Sequence, residues 1–137
     1  KAMLACMVLG ADGVQIGSRF VASEESSAHK KFKQIVIESK EGDTQLTLKE
    51  LAPVRLIKNK FFNEVQELYK IAPTIEQLKE LLGRARSKKG MFEGDLDEGE
   101  LEIGQVSGLI NDIKPVAKIV EDIIKEFEEA KQNISTL

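Results

Sequence analysis

The sequence is poor in the residues that usually betray a function at once: one cysteine, one histidine, one tyrosine and no tryptophan among 137 residues. Cys6 alone closes no internal disulfide and supplies no cysteine cluster for zinc, which fits a reducing, cytoplasmic setting. Long apolar runs are also missing. The longest, Ala2 to Leu9, falls far short of the roughly 20 residues of a membrane-spanning helix, so no membrane partner is expected. Charge of one sign is not in excess either: 20 Lys plus Arg against 23 Asp plus Glu give a net charge of -3. That balance offers nucleic acid no broad basic footprint. Lys1 ahead of the apolar run imitates a truncated secretory signal, but Gly10-Ala11-Asp12-Gly13 leads straight into a second apolar run with strand character.

What is present is the composition of an ordinary domain, 42% hydrophobic and 31% charged, able to bury roughly two-thirds of its unfolded surface. Ala2 to Leu9 reads as the body of a buried helix with no Ser, Thr, Asp or Asn before it to cap it. Gly10 to Gly13 reads as a turn, and Val14 to Ile16 as a short strand suited to burial in a parallel sheet. A single such strand among helices leaves two unpaired edges, so the chain is expected to be a fragment of a larger protein. Taken alone, it should expose Met3, Leu4, Val8, Val14 and Ile16, and either self-associate into a homo-oligomer or need the remainder of the protein.

Further along, Arg19 to Ala22 allows one helical turn, followed by serines fit for capping. Phe32, Ile35 and Val36 recur at helical spacing between Ala28 and Ser39, and Glu41-Gly42-Asp43 stops that helix. Alternation in Gln45 to Leu48 and around Val54 to Ile57 predicts a small two-stranded element. Asn59 to Ile71 and Thr74 to Ala85 read as helices divided by Pro73, with Thr74 and Gln77 matching a capping box. The basic cluster Arg84 to Lys89 and the acidic, glycine-containing loop Glu93 to Glu102 read as solvated faces. Val116, Ile119, Val120, Ile123, Ile124 and Phe127 form the stripe of a final amphipathic helix that must dock on something.

One segment has the right chemistry for a phosphate. In Gly10 to Phe20, Gly17 would let the backbone approach an anion closely, the Gly17 and Ser18 amides would donate to it, and a short following helix would present its positive end. The Ser18 hydroxyl adds a donor. From spacing alone, an ordinary strand-to-helix turn is the favoured reading.

The run GADGVQIGSRF, preceded by AMLACMVL and followed by VASEESSAH, closely resembles the last strand of the FMN-dependent nitronate monooxygenases, formerly called 2-nitropropane dioxygenases. The FMN-dependent enoyl-acyl-carrier-protein reductases share that signature. A second stretch, Glu102 to Ile110 (EIGQVSGLI), is similar to the GQ-x-[SA]-G-L-[IV] segment near the end of both groups. The resemblance implies an α/β chain forming the C-terminal portion of a (β/α)8 TIM barrel, with its last helix-strand unit, a mainly helical small domain and a C-terminal amphipathic helix. Such a barrel takes about 250 residues, so most of it would lie elsewhere. Residues 1–39 would end the FMN-binding barrel, 40–101 would form the small substrate-side domain, and 102–137 would return to the flavin and close with the final helix. By the same resemblance, Gln15, Ile16, Gly17 and Ser18 line the FMN phosphate site, Ser18 standing where Thr is common. Gly104, Gln105 and Ser107 lie towards the substrate.

The implied reaction is oxidation of a nitronate or nitroalkane, a small-molecule substrate, to a carbonyl compound and nitrite. An NAD(P)H-dependent enoyl-acyl-carrier-protein or quinone reductase is the nearest alternative, and a non-enzymatic helical binding module a more distant one. The family's catalytic histidine precedes the last strand, so no catalytic residue is assigned in this chain. His29, in a polar run ahead of a helix, reads as a surface or capping residue. Cys6 reads as core, with nothing nearby to activate it. Arg55 and Asn59, matching an R-x-x-x-N pattern, read as structural. Asp95, Asp97 and Glu98 make no EF-hand, because the glycine falls one place early and no Glu stands at the twelfth position; no metal is expected.

Overall fold

The computed structural model describes residues 1–135. Helix α1 spans Ala2–Val8 and α2 is a single turn, Ser18–Val21. Helix α3 (Lys30–Glu38) starts at His29, whose Nδ1 accepts the Lys31 N–H at 3.2 Å, so the lone histidine is a helix cap. Strands β1 (Thr44–Thr47) and β2 (Val54–Ile57) pair antiparallel, Thr44 opposite Ile57 and Thr47 opposite Val54. Helix α4 (Lys60–Tyr69) is capped by Asn59, and α5 (Ile75–Leu82) opens with the reciprocal Thr74–Gln77 box. A π turn at Lys88–Phe92 and a 3-10 turn at Gln105–Leu109 precede α6, Val116–Ser135.

Strand β2 feeds both core clusters because alternate residues point to opposite sides, whereas Gln45 and Leu46 of β1 stay exposed. Leu56 joins Leu48, Phe61, Phe62, Val65 and Leu78 in one cluster, while Ile57 joins Phe32, Val36, Leu101, Ile103 and Ile110 in another. The acidic loop does not stay a loop to its end. Ile57 N–H donates to Leu101 O at 3.0 Å and Ile103 N–H to Arg55 O at 3.1 Å, with Leu56 opposite Glu102, so residues 101–103 lie along the free edge of β2. The alternation Glu100-Leu101-Glu102-Ile103 sends both apolar side chains into the core and both carboxylates to the other face.

Three expectations need correction. No strand forms at Val14–Ile16: no described segment pairs with it, and a strand exists only by its ladder. Helix α1 contains no buried residue, and Cys6 is exposed where a core position was expected. Among the described residues α6 is the main element packed on α1, and Val8 stays 74% exposed; Val14 is exposed too, whereas Met3, Leu4 and Ile16 are half-buried. The basic cluster divides. Lys88 is exposed and Lys89 half-buried, pairing with Glu93 and Asp95 as a solvated face would, but the Arg86 guanidinium lies 4.4 Å over the Phe61 ring and donates to Leu82 O and Glu98 O. The α6 stripe is half-closed: Ile119 is buried, whereas Val120 and Ile124 remain exposed.

Candidate functional site

The two glycine-bearing segments, far apart in the chain, meet. The Gly104 N–H donates to Ser18 Oγ at 3.0 Å. A Cβ on Gly104 would stand 2.6 Å from that oxygen, so any side chain there would push the Ser18 hydroxyl out of this contact. Around this contact lies an open depression of about 380 Å³, lined by Gly17, Ser18 and Val21 on one side and by Pro53, Val54, Arg55, Glu102, Ile103 and Gly104 on the other.

Its donor set suits an anion. Ser18 Oγ accepts from Gly104, so its own proton is free to donate outward. The Gly17 and Ser18 amides, at the start of α2, donate to no acceptor among the described residues. Nothing lies within 4 Å of where a Gly17 Cβ would be, leaving the backbone open to a ligand. Two amides and a hydroxyl at a helix start match the acceptor oxygens of a phosphate monoester, the part of FMN such a turn would hold.

Of the residues singled out in the sequence, Gly17, Ser18 and Gly104 come together. Gln15 is exposed and Ile16 half-buried on the approach to the turn, and neither lines the depression. Gln105 is exposed on the 3-10 turn. Ser107 is fully buried inside it, its hydroxyl without a partner among the described residues. Asn59 and Arg55 have the structural roles expected: Asn59 Oδ1 caps α4 while its Nδ2 reaches the carbonyls of Leu96, Asp97 and Gly99, and Arg55 donates to Thr44 O at 3.1 Å.

Sequence reasoning missed the far wall. Glu102 and Glu100 both receive the Ser87 hydroxyl, at 2.6 and 2.7 Å, although that hydroxyl has one proton. Burial, and then the neighbouring Glu102 charge, push the Glu100 carboxyl above the usual range, against the smaller pull of the Ser87 bond and Arg86. The alternating Glu100-Leu101-Glu102-Ile103 carried this signal, masked by the glycine and acid content of its surroundings.

A turn with unpaired amides thus meets a returning glycine segment in a chain that mixes helices with a small sheet. Comparison with known proteins gives the chain a family. The nitronate monooxygenase family model matches residues 1–126, and the chain belongs to that family. It is 32% identical over 130 residues to a probable nitronate monooxygenase of Staphylococcus saprophyticus, covering 94% of this chain and 36% of that protein. A probable nitronate monooxygenase of Bacillus subtilis is 31% identical over 127 residues, with 92% and 36% covered. Among solved structures, FabK from Thermotoga maritima superposes with a TM-score of 0.89 at 38% identity, over 98% of this chain and 42% of FabK. The chain thus spans little more than a third of these curated relatives. No described helix is long and apolar enough to cross a membrane.

Proposed function

We propose that this chain forms the phosphate-holding end and substrate-side cover of an FMN-dependent barrel oxidoreductase of the nitronate monooxygenase type. The observation that carries the reading is the Ser18–Gly104 hydrogen bond, which joins both family-like segments at one depression whose free donors suit a phosphate. Residues 1–39 would end the barrel, 40–101 form the small domain and 102–137 return to the flavin.

The cofactor, when bound, supplies the redox chemistry by which a nitronate becomes a carbonyl compound and nitrite. This chain's own residues bind and orient. Gly17 and Ser18 donate to the phosphate, with Gln15 and Ile16 leading the backbone to it. Gly104 fixes the Ser18 hydroxyl so that its proton points outward. Gln105, exposed beside Gly104, and the turn closed by the Ser107 N–H on Gly104 O at 3.0 Å form the substrate side. The base that takes a nitroalkane's α-proton belongs to a part outside this chain, since His29 serves as a cap.

A second reading, an NAD(P)H-dependent enoyl-acyl-carrier-protein reductase, draws on the likeness to FabK. The test is a visible absorbance spectrum of the full-length protein carrying this sequence, with chromatographic identification of the released chromophore. Turnover of nitronates is then compared with turnover of enoyl thioesters. Bound FMN with nitronate oxidation is the expected result; FMN with enoyl reduction selects the second reading, and a colourless protein that takes up no FMN overturns both.

A further inference from the structure

Helix α2 is a single turn held to the core through Val21 and the buried Ala22 after it, and two side-chain contacts add to that hold. One is the Ser18–Gly104 contact. The other is Arg19, whose guanidinium donates to Ala22 O at 3.3 Å, to Asp112 O at 3.0 Å and to the Asp112 carboxylate. The Arg19 side chain is 21% exposed and that of Asp112 38%, so the guanidinium is partly shielded while the carboxylate stays open to solvent. Asp112 is held in turn by Lys114 at 2.9 Å, and Lys114 by Asp122 of α6 at 3.0 Å.

The backbone repeats the connection. Glu24 N–H donates to Lys114 O at 3.0 Å, and the Glu25 carboxylate accepts the Val116 N–H at 2.9 and 3.1 Å, capping α6 from the loop after α2. The buried Lys33 ammonium holds that loop through Ser23 O and Glu24 O, at 2.6 and 3.1 Å. At its other end α6 packs against α1, where Ala130 and Ile134 face Leu4 and Val8 across an apolar gap. Helix α6 therefore grips both flanks of residues 10–18, the stretch that holds the candidate anion donors.

We propose that Arg19 is a positioning residue for a phosphate-bearing ligand: by locking α2 to the Asp112–Lys114–Asp122 ladder it fixes the angle at which Gly17 and Ser18 present their donors. Arg19 need not touch the ligand. This inference rests on the phosphate reading of the depression and adds the means by which α6 sets its geometry. Lysine cannot replace the guanidinium, because one ammonium cannot span two carbonyls and a carboxylate in the same planar fork.

The test compares FMN with riboflavin, which lacks the phosphate, by quenching of flavin fluorescence on the full-length protein. Arg19→Gln should weaken FMN about tenfold, the scale of a lost charge-assisted network, and leave riboflavin unchanged. Asp112→Asn should weaken FMN less, the double variant no more than Arg19→Gln alone, and Arg19→Lys should recover only part of the loss. Equal weakening of both flavins would make Arg19 a general scaffold residue, and unaltered FMN binding would make it irrelevant; either overturns the proposal. Should Arg19→Gln fail to fold, Arg19→Lys and Asp112→Asn decide by the same ratio. A wild-type protein that binds neither flavin overturns the cofactor reading and this inference with it, an outcome distinct from the other two.

Discussion

Helices α1 and α4 make the plainest contrast in the molecule. Helix α1 is apolar at every position, AMLACMV, yet buries no residue, whereas α4, KFFNEVQELY, mixes charge with apolar groups and buries Phe61, Phe62 and Val65. Burial follows the availability of a facing surface more than hydrophobicity. Around α4 that surface exists within the described chain: the hairpin, α5 and residues 84–103 close on one another. Around α1 the described chain offers chiefly α6, and the apolar groove between them stays open.

The closed region should therefore be brittle and the open flank tolerant. The largest effect is expected at Gly99, where a Cβ would stand 2.2 Å from Gly90 Cα and 2.4 Å from Asp95 O. Those are backbone atoms and cannot swing aside, so two chain segments would have to separate. Gly99→Ala should cost about 3 kcal/mol or more, read as a fall in the urea midpoint. A variant as stable as wild type would show that the crossing of residues 90 and 99 is not a fixed feature of the closed half.

Much of that half was legible in the sequence because its signals are local. The Thr74–Gln77 box and the alternating hairpin there, like the α6 stripe on the open flank, each depend on neighbours within a few residues. What could not be read depends on distant partners. Val14–Ile16 has strand composition, but pairing is a property of two segments. The docking of residues 101–103 on β2 likewise needs Arg55 and Ile57 as neighbours, and Arg86 left the solvated cluster only because Phe61 lies beneath it. At the candidate site, Gly17 and Ser18 stood out by their chemistry, yet nothing in spacing brought Gly104 to them; only resemblance linked the two segments. Glu102 and Arg55 were seen as a loop residue and a structural residue, and their place in the wall of the depression is purely tertiary.

A smaller effect separates the regions by pH. The raised Glu100 carboxyl belongs to the closed half, whereas Asp122 of α6 is held below the usual range, first by Lys118 and then by Lys114. The signs are opposite. Between the unfolded value, near 4.3 for Glu, and the raised folded value, the folded chain binds more protons through Glu100, so stability falls as pH rises across that window. Asp122 binds fewer protons when folded, so its contribution is lost as pH falls below the ordinary carboxylate range. Glu100→Gln should flatten the first slope and keep the second, in thermal midpoints measured across pH. Persistence of the first slope in that variant would move the raised proton to another group.

The smallest effect on stability is expected in the open flank. Val8 is 74% exposed in the groove between α1 and α6, so Val8→Asp removes little buried area and should change the stability of this chain by about 0.5 kcal/mol or less. Its consequence lies in association. An apolar α1 without cover should draw copies of the chain together, and a carboxylate on that face should reduce the mass seen by light scattering. Strong destabilisation by Val8→Asp would mean that α1 already has a partner surface, and the contrast with α4 would fail. An unchanged stability with reduced association would locate the open side of the molecule on α1, the surface on which the remainder of a barrel would have to settle.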